Sequence, residues 1–529
     1  MSREVLLGLD IGTTSIKALA ITPTGRRVAS YAQPVPTLHP QDGWSEQDPK
    51  VLARTAVTVL SRITQTCRVR ASHILGLGLT NQRETTLPVD ATTGEPLSNA
   101  ILWHDLRTLP LAASLGSGGW NRRLWRRGGM PLTNYPSATK MAWLLRHSRP
   151  VARAARRDRL RMITVDSWVA YQLLGGVLGG APFITDPSNA SRTLLLDLST
   201  GRYDPQALRH FGLRREFLAE LRPSWGAELG NVPLPGPSSR GSIPLLSILG
   251  DQQASLLGLS TLLGGDAKLT LGTGAFLLAR GELRGPPDRS GVLRTILWHP
   301  RGEVPEIGIE GSVGAAGSFI DWLGKEGLGI FESLGEIERL SARSRHGKEV
   351  FVPALCGLFA PHWEMTARGI WTGIDLSTRR ADLARSALDG LAHTVADLVD
   401  AVEQGMGRTL SPLLVDGGLS RSGPLLQQIA DHSGTVLRKS PEPDATVFGA
   451  ALAAGLGIGV LPRDVQAPLR RGSPRGRIIR PQVDHRERLR TRRAWRHALD
   501  QAFLLTKRHA GPGVVRHPDA VRSQTWISV

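Results

Sequence analysis

The feature that most constrains this chain is a strand–turn–strand unit that occurs twice. Residues 5–10, VLLGLD, form an apolar run that ends in an acid and enters Gly12-Thr13-Thr14; a second run, IKALAI, follows at 16–21. The same grammar returns about 260 residues later at 267–279, AKLTLGTGAFLLA, a spacing far beyond any solenoid period. Short apolar runs bounded by Gly and Thr read as buried strands joined by tight turns. Such a turn gathers backbone N–H groups and hydroxyls into an anion nest, and glycine lets the backbone approach a phosphate closely. A third glycine turn closes an apolar run at 413–418, LLVDGG. Two such openings predict two related halves, and 529 residues are too many for one compact core.

The Pro/Gly/Ser-rich stretch 231–244 is the expected boundary, which divides the chain into 1–246, 247–465 and an arginine-rich extension, 466–529. Helical spacing is clear at 137–147, 312–324, 382–404 and 446–457, the last rich in small residues and suited to tight packing. In the extension, Trp495, Ala498 and Phe503 fall at helical spacing, and the chain beyond about 508 loses all periodicity. Net charge is +19, mostly from arginine. No recognition fold or aromatic platform accompanies that charge, so a nucleic-acid partner is not expected. No run approaches the roughly 18 apolar residues of a membrane span. The N-terminus lacks a signal peptide, which predicts a cytoplasmic protein. Cys67 and Cys356 read as reduced structural thiols.

Three segments carry residue types suited to phosphoryl transfer. Asp10 stands at a strand end before Thr13, Thr14 and Ser15, where one carboxylate can hold Mg2+ directly or through water; an ordinary Asp/Gly turn has the same letters. Leu271-Gly272-Thr273-Gly274 offers the second phosphate turn, and no Walker loop is present. Asp251, in LGDQQ, is either the cap of the helix QQASLLGL or the base that takes a proton from an alcohol, and the two roles are compatible. Asn81-Gln82-Arg83-Glu84 puts four polar side chains at a strand end. They suit a ligand made of hydroxyls, with Arg83 donating and Glu84 accepting, or they form a surface turn with an ion pair. Trp103, Tyr135 and Phe276 are core aromatics by default, and one or two could wall a polyol pocket.

These segments together resemble the FGGY carbohydrate kinases of the actin-like ATPase superfamily, and within them the glycerol-kinase branch. The resemblance runs from about residue 5 to about 465, through LGLDIGTTSIKA, HPQDGWSEQDP, LTNQRETTLPVDATTGEPLSNAILWHDLRT, PLTNYPSATKMAWLL, ITDPSNASRTLLLDL, GDQQASLLG, LTLGTGAFLL, LCGLFAPHWEMTARG and GIWTGIDLSTRRADLARSALDG in order. It implies an α/β fold of two ribonuclease-H-like (actin-like ATPase) domains flanking a deep cleft. It implies ATP-dependent phosphorylation of glycerol, with Asp251 as base and Asp10 at the Mg2+ site. The implied substrate contacts are Arg83, Glu84, Trp103, Tyr135, Asp251, Gln252 and Phe276. The implied nucleotide contacts are Thr13, Thr14, Ser15, Lys17, Gly272, Thr273, Gly317, Asp321, Gly418 and Ser422. Three positions depart from the branch. Lys17 stands where arginine is usual, Asp321 where glutamine is usual, and Ser422 where asparagine is usual. All three are on the nucleotide side.

The expected partners are ATP, Mg2+ and a small polyol, in a homodimer or homotetramer. Two rivals stand beside glycerol: another polyol or ketose such as erythritol or xylulose, and an actin-like ATPase or inactive scaffold. The NQRE segment, Tyr135 and the DQQ turn argue against the last, because an ATPase without a polyol needs none of them.

Overall fold

The computed structural model describes residues 4–67, 71–234, 241–324, 327–344, 347–461 and 476–509. The chain divides into two compact units. The first runs to Gly264 and takes in Arg294–Gly308 and the segment that starts at Asp444; the second holds Gly265–Leu293, Ile309–Pro443 and the C-terminal segment.

The first unit is built on a six-stranded sheet in the order Trp225–Pro233, Ser242–Gly250, Ile74–Asn81, Val5–Ile11, Ser15–Ile21, Arg27–Pro34. The predicted hairpin is there, with Val5–Ile11 antiparallel to Ser15–Ile21. Strand alternation splits its apolar residues between two faces. Leu7, Leu9, Ala18 and Ala20 pack with Leu52, Val59 and Ile63 of the helix Pro49–Cys67. Leu6, Leu19 and Ile21 pack with Val447, Phe448, Ala451 and Leu452 of the helix Ala445–Gly457. That helix lies close to the sheet because the residues between are small. A Cβ on Gly78 would stand 1.9 Å from the Ala450 carbonyl oxygen, and one on Gly449 would stand 1.8 Å from that of Ala254. Overpacking of this kind costs about 1–3 kcal/mol or more.

The expected boundary at 246/247 therefore falls inside the first unit. The strands on either side of the Pro/Gly/Ser-rich stretch pair antiparallel, and Ser242–Gly250 runs straight into the helix Asp251–Leu263, which packs on Ala445–Gly457. Sheet pairing and helix packing hold this region to the first unit's core.

Three neighbouring strands bring the candidate residues to one level. Val5–Ile11 and Ser242–Gly250 both run parallel to Ile74–Asn81, with Asp10 opposite Thr80, Ile11 opposite Asn81, and Gly250 opposite Asn81. The C-terminal ends of parallel strands are where open α/β sheets bind ligands.

In the second unit the hairpin Ala267–Leu271 and Ala275–Arg280 pairs antiparallel, and Leu413–Asp416 runs parallel to its first strand. Leu437–Lys439 and Arg477–Ile479 extend the sheet. The helix Arg380–Met406 ends at Gly407, whose φ of 67° needs no Cβ penalty to close the last turn. The expected helix at 312–324 is shorter, Gly317–Leu323, because Glu306–Val313 continues as a strand and the glycines of GAAG break the chain before the helix starts. The arginine-rich end forms the helix His485–His509. Its Trp495, Ala498, Leu499 and Ala502 are buried against Val352, Ala354, Leu358 and Ala367, so it belongs to the second unit's core. The tail expected beyond 508 lies outside the described residues from 510 on. No described helix is long and apolar enough to cross a membrane.

Candidate active site

The Asp10–Ser15 turn is tied to its neighbours through Gln82. The Gln82 backbone N–H donates to the Ile11 carbonyl at 2.9 Å, and its side-chain oxygen accepts from the Thr13 hydroxyl at 2.9 Å. The Gln82 amide donates to Gln47 at 2.7 Å, and the Gln47 amide donates to the Thr13 carbonyl at 2.7 Å. Trp103 Nε1 also donates to the Thr13 hydroxyl, at 3.2 Å. Side chains thus reinforce a turn that the Gly12 N–H closes on the Ser15 carbonyl at 3.1 Å, and Thr14 stays exposed. Lys17, on the strand leaving the turn, pairs with Asp444 at 3.6 Å.

Asn81, Gln82, Arg83 and Glu84 are all buried, which rules out the surface-turn alternative. Arg83 Nε lies 3.1 Å from Asp251 Oδ1, and Arg83 Nη1 donates to Gln253 at 3.4 Å. Asp251 is the first residue of its helix, with Gly250 at the cap position. Its carboxylate accepts the Gln252 N–H at 2.7 Å. The cap alternative is thus corrected: strand β-geometry persists through Gly250, so the capping position falls one residue early. Asp251 retains partial exposure, 28% of its side chain. Gln252 beside it is buried.

Glu84 sits at φ 62°, in the left-handed region that costs a bulky residue about 1–2 kcal/mol. Strain of this kind is typical of sites whose surroundings dictate a side chain's direction. The surroundings here are Arg192, whose Nε lies 2.6 Å from Glu84 Oε1, and Ser137, whose hydroxyl donates to the Glu84 carbonyl at 3.0 Å. The Arg192 guanidinium lies 5.5 Å from the Tyr135 ring centre, within cation–π range. Tyr135 meets Trp103 edge-on, with centroids 6.0 Å apart. The loop that carries Tyr135 is fixed by Lys140, fully buried, whose Nζ donates to the carbonyls of Asn134 at 2.8 Å and Tyr135 at 2.7 Å. Burial pushes the Lys140 ammonium down to about 7, against the pull of Glu84 and Asp105.

Arg192 and Lys140 were not singled out from the sequence. The available signal was weak: a lone cation in an otherwise apolar or small-residue segment, SATKMAWLL or SNASRT.

Asp10 Oδ1 is buried with no hydrogen-bond partner. Burial, and then the carboxylates of Asp251 and Asp444, push Asp10 up to about 7, against Lys17. A carboxylate in that state fits a divalent cation, which would supply the missing counter-charge. Among the described residues no three His, Cys, Asp or Glu side chains cluster as a metal cage. Mg2+ is content with one or two carboxylates and several waters.

The remaining candidates lie in the second unit. The hairpin turn closes by Gly272 N–H to the Gly274 carbonyl at 2.9 Å, and Gly317 N–H donates to the Gly272 carbonyl at 2.9 Å. A Cβ on Gly317 would stand 2.7 Å from that same oxygen, so this approach needs glycine. Thr273 is exposed at the tip, and its carbonyl accepts the Ala316 N–H at 2.8 Å. Asp321 is exposed on the helix Gly317–Leu323. Gly418 is exposed at the start of a 3-10 turn. Ser422 is fully buried, and its hydroxyl caps the helix Gly423–Ser433 by accepting the Leu425 N–H at 3.2 Å. Phe276, half-buried, is on the outgoing strand of the hairpin. Asp10, Thr13, Thr14, Ser15, Lys17, Arg83, Glu84, Trp103, Tyr135, Asp251 and Gln252 all belong to the first unit.

Comparison with known proteins places the chain in a family. Residues 5–258 match the N-terminal domain of the FGGY family of carbohydrate kinases, and residues 267–458 match its C-terminal domain. The chain is 40% identical over 457 residues to a glycerol kinase of Gloeobacter violaceus, covering 86% of this chain and 88% of that protein. It is 37% identical over 493 residues to a glycerol kinase of Citrifermentans bemidjiense, covering 93% and 97%. A crystal structure of Plasmodium falciparum glycerol kinase with ADP superposes with a TM-score of 0.83 at 27% identity, covering 94% of this chain and 98% of that one.

Proposed function

That the chain belongs to the FGGY family of carbohydrate kinases is the premise from which we propose its reaction: transfer of the γ-phosphoryl group of ATP to a terminal hydroxyl of glycerol, giving glycerol 3-phosphate and ADP. The observation that carries this reading is the Arg83–Asp251 ion pair at 3.1 Å, just past the paired strand ends Asn81 and Gly250 and next in sequence to buried Glu84. An alcohol must lose a proton as the phosphoryl group arrives, and a partly exposed carboxylate oriented by a buried guanidinium can accept it.

Asp251 is the base. Arg83 orients it and donates to substrate oxygen, Glu84 and Gln252 bind hydroxyls, and Trp103, Tyr135 and Phe276 meet the carbon skeleton. Thr13, Thr14, Ser15 and Lys17 in the first unit, and Gly272, Thr273, Gly317, Asp321 and Gly418 in the second, serve the nucleotide. Ser422 serves it through the backbone it caps. Mg2+, held through Asp10, supplies charge neutralisation to the phosphates when bound. Glycerol's three hydroxyls match Arg83 as donor, Glu84 as acceptor and Gln252 as either, and the relatives that match over most of the chain are glycerol kinases, which favours glycerol over the longer polyols and ketoses.

The test is ADP release measured with glycerol, erythritol, xylitol, xylulose and dihydroxyacetone. Glycerol should lead in kcat/KM. Asp251→Asn should lower kcat by about 10²–10⁴-fold, the usual contribution of a positioned base, while calorimetry still detects glycerol binding. Turnover within a few-fold of wild type would remove Asp251 from the mechanism, and a lead for xylulose would replace the substrate.

A further inference from the structure

We propose that Arg192 is the positioning residue of the polyol site: its buried guanidinium keeps Glu84 an ionised, correctly aimed acceptor for a substrate hydroxyl. The inference rests on the reading of Glu84 as a hydroxyl acceptor given above.

Four observations carry it. Arg192 is fully buried, and its Nε lies 2.6 Å from Glu84 Oε1. Its guanidinium carbon lies 5.5 Å from the Tyr135 ring centre, so one side chain pairs with an acceptor and neighbours an aromatic wall of the site. Glu84 is held at a positive φ, a conformation that persists only when its surroundings enforce it. Finally, Arg192 sits on a segment built to be rigid. Asp186 accepts the N–H groups of Ser188 and Asn189 at 3.0 Å each, together with the Ser224 hydroxyl at 2.6 Å.

That segment also reaches both halves of the first unit's site. Asn189 accepts from the Asn81 amide at 2.9 Å, on the strand that leads to Glu84. The Ser188 hydroxyl oxygen accepts the Gly250 N–H at 2.9 Å, directly before Asp251. Residues 186–192 thus join the acceptor turn to the base turn, and Arg192 is the member of that bridge that brings positive charge to Glu84. A buried carboxylate without a counter-charge takes up a proton, and a protonated Glu84 loses the acceptor capacity that a hydroxyl donor needs.

The groups around Glu84 define the pH test. Arg192 pairs with it directly, and Lys140, on the helix Ser137–His147, feels its charge together with that of Asp105. Ser137 meets its main chain and Tyr135 lies by Arg192. Arg83, next in sequence, is engaged with Asp251. Lys140 itself lies at about 7 and feels Glu84, so the Glu84→Gln profile, in which Lys140 but not residue 84 can titrate, is the reference against which the Arg192→Met profile is read.

The experiment measures KM for glycerol and kcat at pH 6 to 9 for wild type, Arg192→Met, Arg192→Lys, Glu84→Gln and the double variant E84Q/R192M. Arg192→Met should raise KM by at least about tenfold at pH 6, with kcat changed less, and the loss should shrink as pH rises, the direction expected of a carboxyl that has lost its counter-charge. Arg192→Lys keeps the charge and should show a smaller, pH-independent loss. The double variant should be no worse than Glu84→Gln alone. It also removes charge and counter-charge together, so it answers the question if Arg192→Met does not fold. A loss in R192M that is equal in KM and kcat and flat with pH, or a double variant that loses additively, would overturn the proposal. If wild type prefers another polyol, the assignment of glycerol fails by itself, and the same series run with that polyol tests Arg192.

Discussion

Two partly buried aspartates with desolvated carboxyls, one in each unit, show what separates a site from a brace. Asp10 in the first unit has an oxygen with no hydrogen-bond partner and is pushed up to about 7 by burial and by Asp251 and Asp444. Asp397 in the second unit is surrounded by donors. Arg492 lies at 2.6 Å, Trp495 Nε1 donates at 2.8 Å, and His362 Nε2 is 3.3 Å away. Burial alone would raise Asp397, yet Arg492 and His362 together hold its carboxyl well below the usual carboxylate range. Both carboxyls are desolvated, and the difference lies in who answers the charge. Asp397 is answered by its own chain, so it fixes the helix His485–His509 against Arg380–Met406. Asp10 calls for a charge from outside the chain, which is the mark of a functional carboxylate.

The comparison breaks most readily at Arg492. Its guanidinium is buried and lies 2.6 Å from both Asp397 and Asp400, with a further bond of 3.1 Å to the His393 carbonyl. Arg492→Met leaves two carboxylates without their counter-charge, and removing one partner of a buried pair costs about 3–5 kcal/mol. Urea unfolding should show that loss, and Arg492→Met combined with Asp397→Asn should recover part of it. If the single variant melts like wild type, Asp397 is not a brace.

Asp10→Asn should act with the opposite sign and more weakly. The folded value of about 7 lies above the ordinary 3.8, so the folded chain holds this proton more tightly than the unfolded chain does. Stability from this group is therefore greatest at low pH and falls as pH rises from about 4 to 7. An amide cannot ionise, so the variant should gain about 1–2 kcal/mol at pH 8 after allowance for solvent screening, visible as a Tm rise of a few degrees. Glycerol turnover should fall by at least about tenfold at the same time. A variant that loses both stability and turnover would make Asp10 a structural residue.

Local chemistry made one side of this comparison legible. The apolar runs, the glycine turns, Asp10, the polar NQRE strand end and Asp251 all announce themselves over a few residues, because strand, turn and polar strand end are short-range patterns, while the burial of NQRE does not. What brings them together is long-range. Arg192 meets Glu84 across 108 positions and Arg492 meets Asp400 across 92, and nothing in SNASRT or RTRRAW names its partner. The same holds for Ala445–Gly457. Its small residues predict tight packing, yet only the fold returns that helix to the first unit. Ser422 stands between the two cases. Its place in LSRSGPLL suggests a ligand contact, and a serine before Gly-Pro also begins a helix, which is the use of its hydroxyl here.

An effect of the same size, read without any substitution, is also the sharpest, because acid should move the two regions in opposite directions. His393 is stacked between His432, with ring centres 3.7 Å apart, and Trp495, at 5.3 Å. Burial, then His432 and Arg492, push its imidazole well below 6.5. The unfolded chain therefore takes up a proton near 6.5 that the folded chain refuses, so the stability tied to His393 is present above that pH and is lost below it. One proton is worth about 1.4 kcal/mol per pH unit, so the helix His485–His509 should loosen by about 1–2 kcal/mol between pH 7 and 5.5. Over the same interval the region around Asp10 should tighten. Amide exchange along His485–His509 and along Val5–Ile11, followed over that range, reads both changes in one sample. His393→Phe keeps a ring in the stack and should abolish only the first. If both segments moved together with pH, the division between an answered and an unanswered carboxylate would not explain the pH response of either unit.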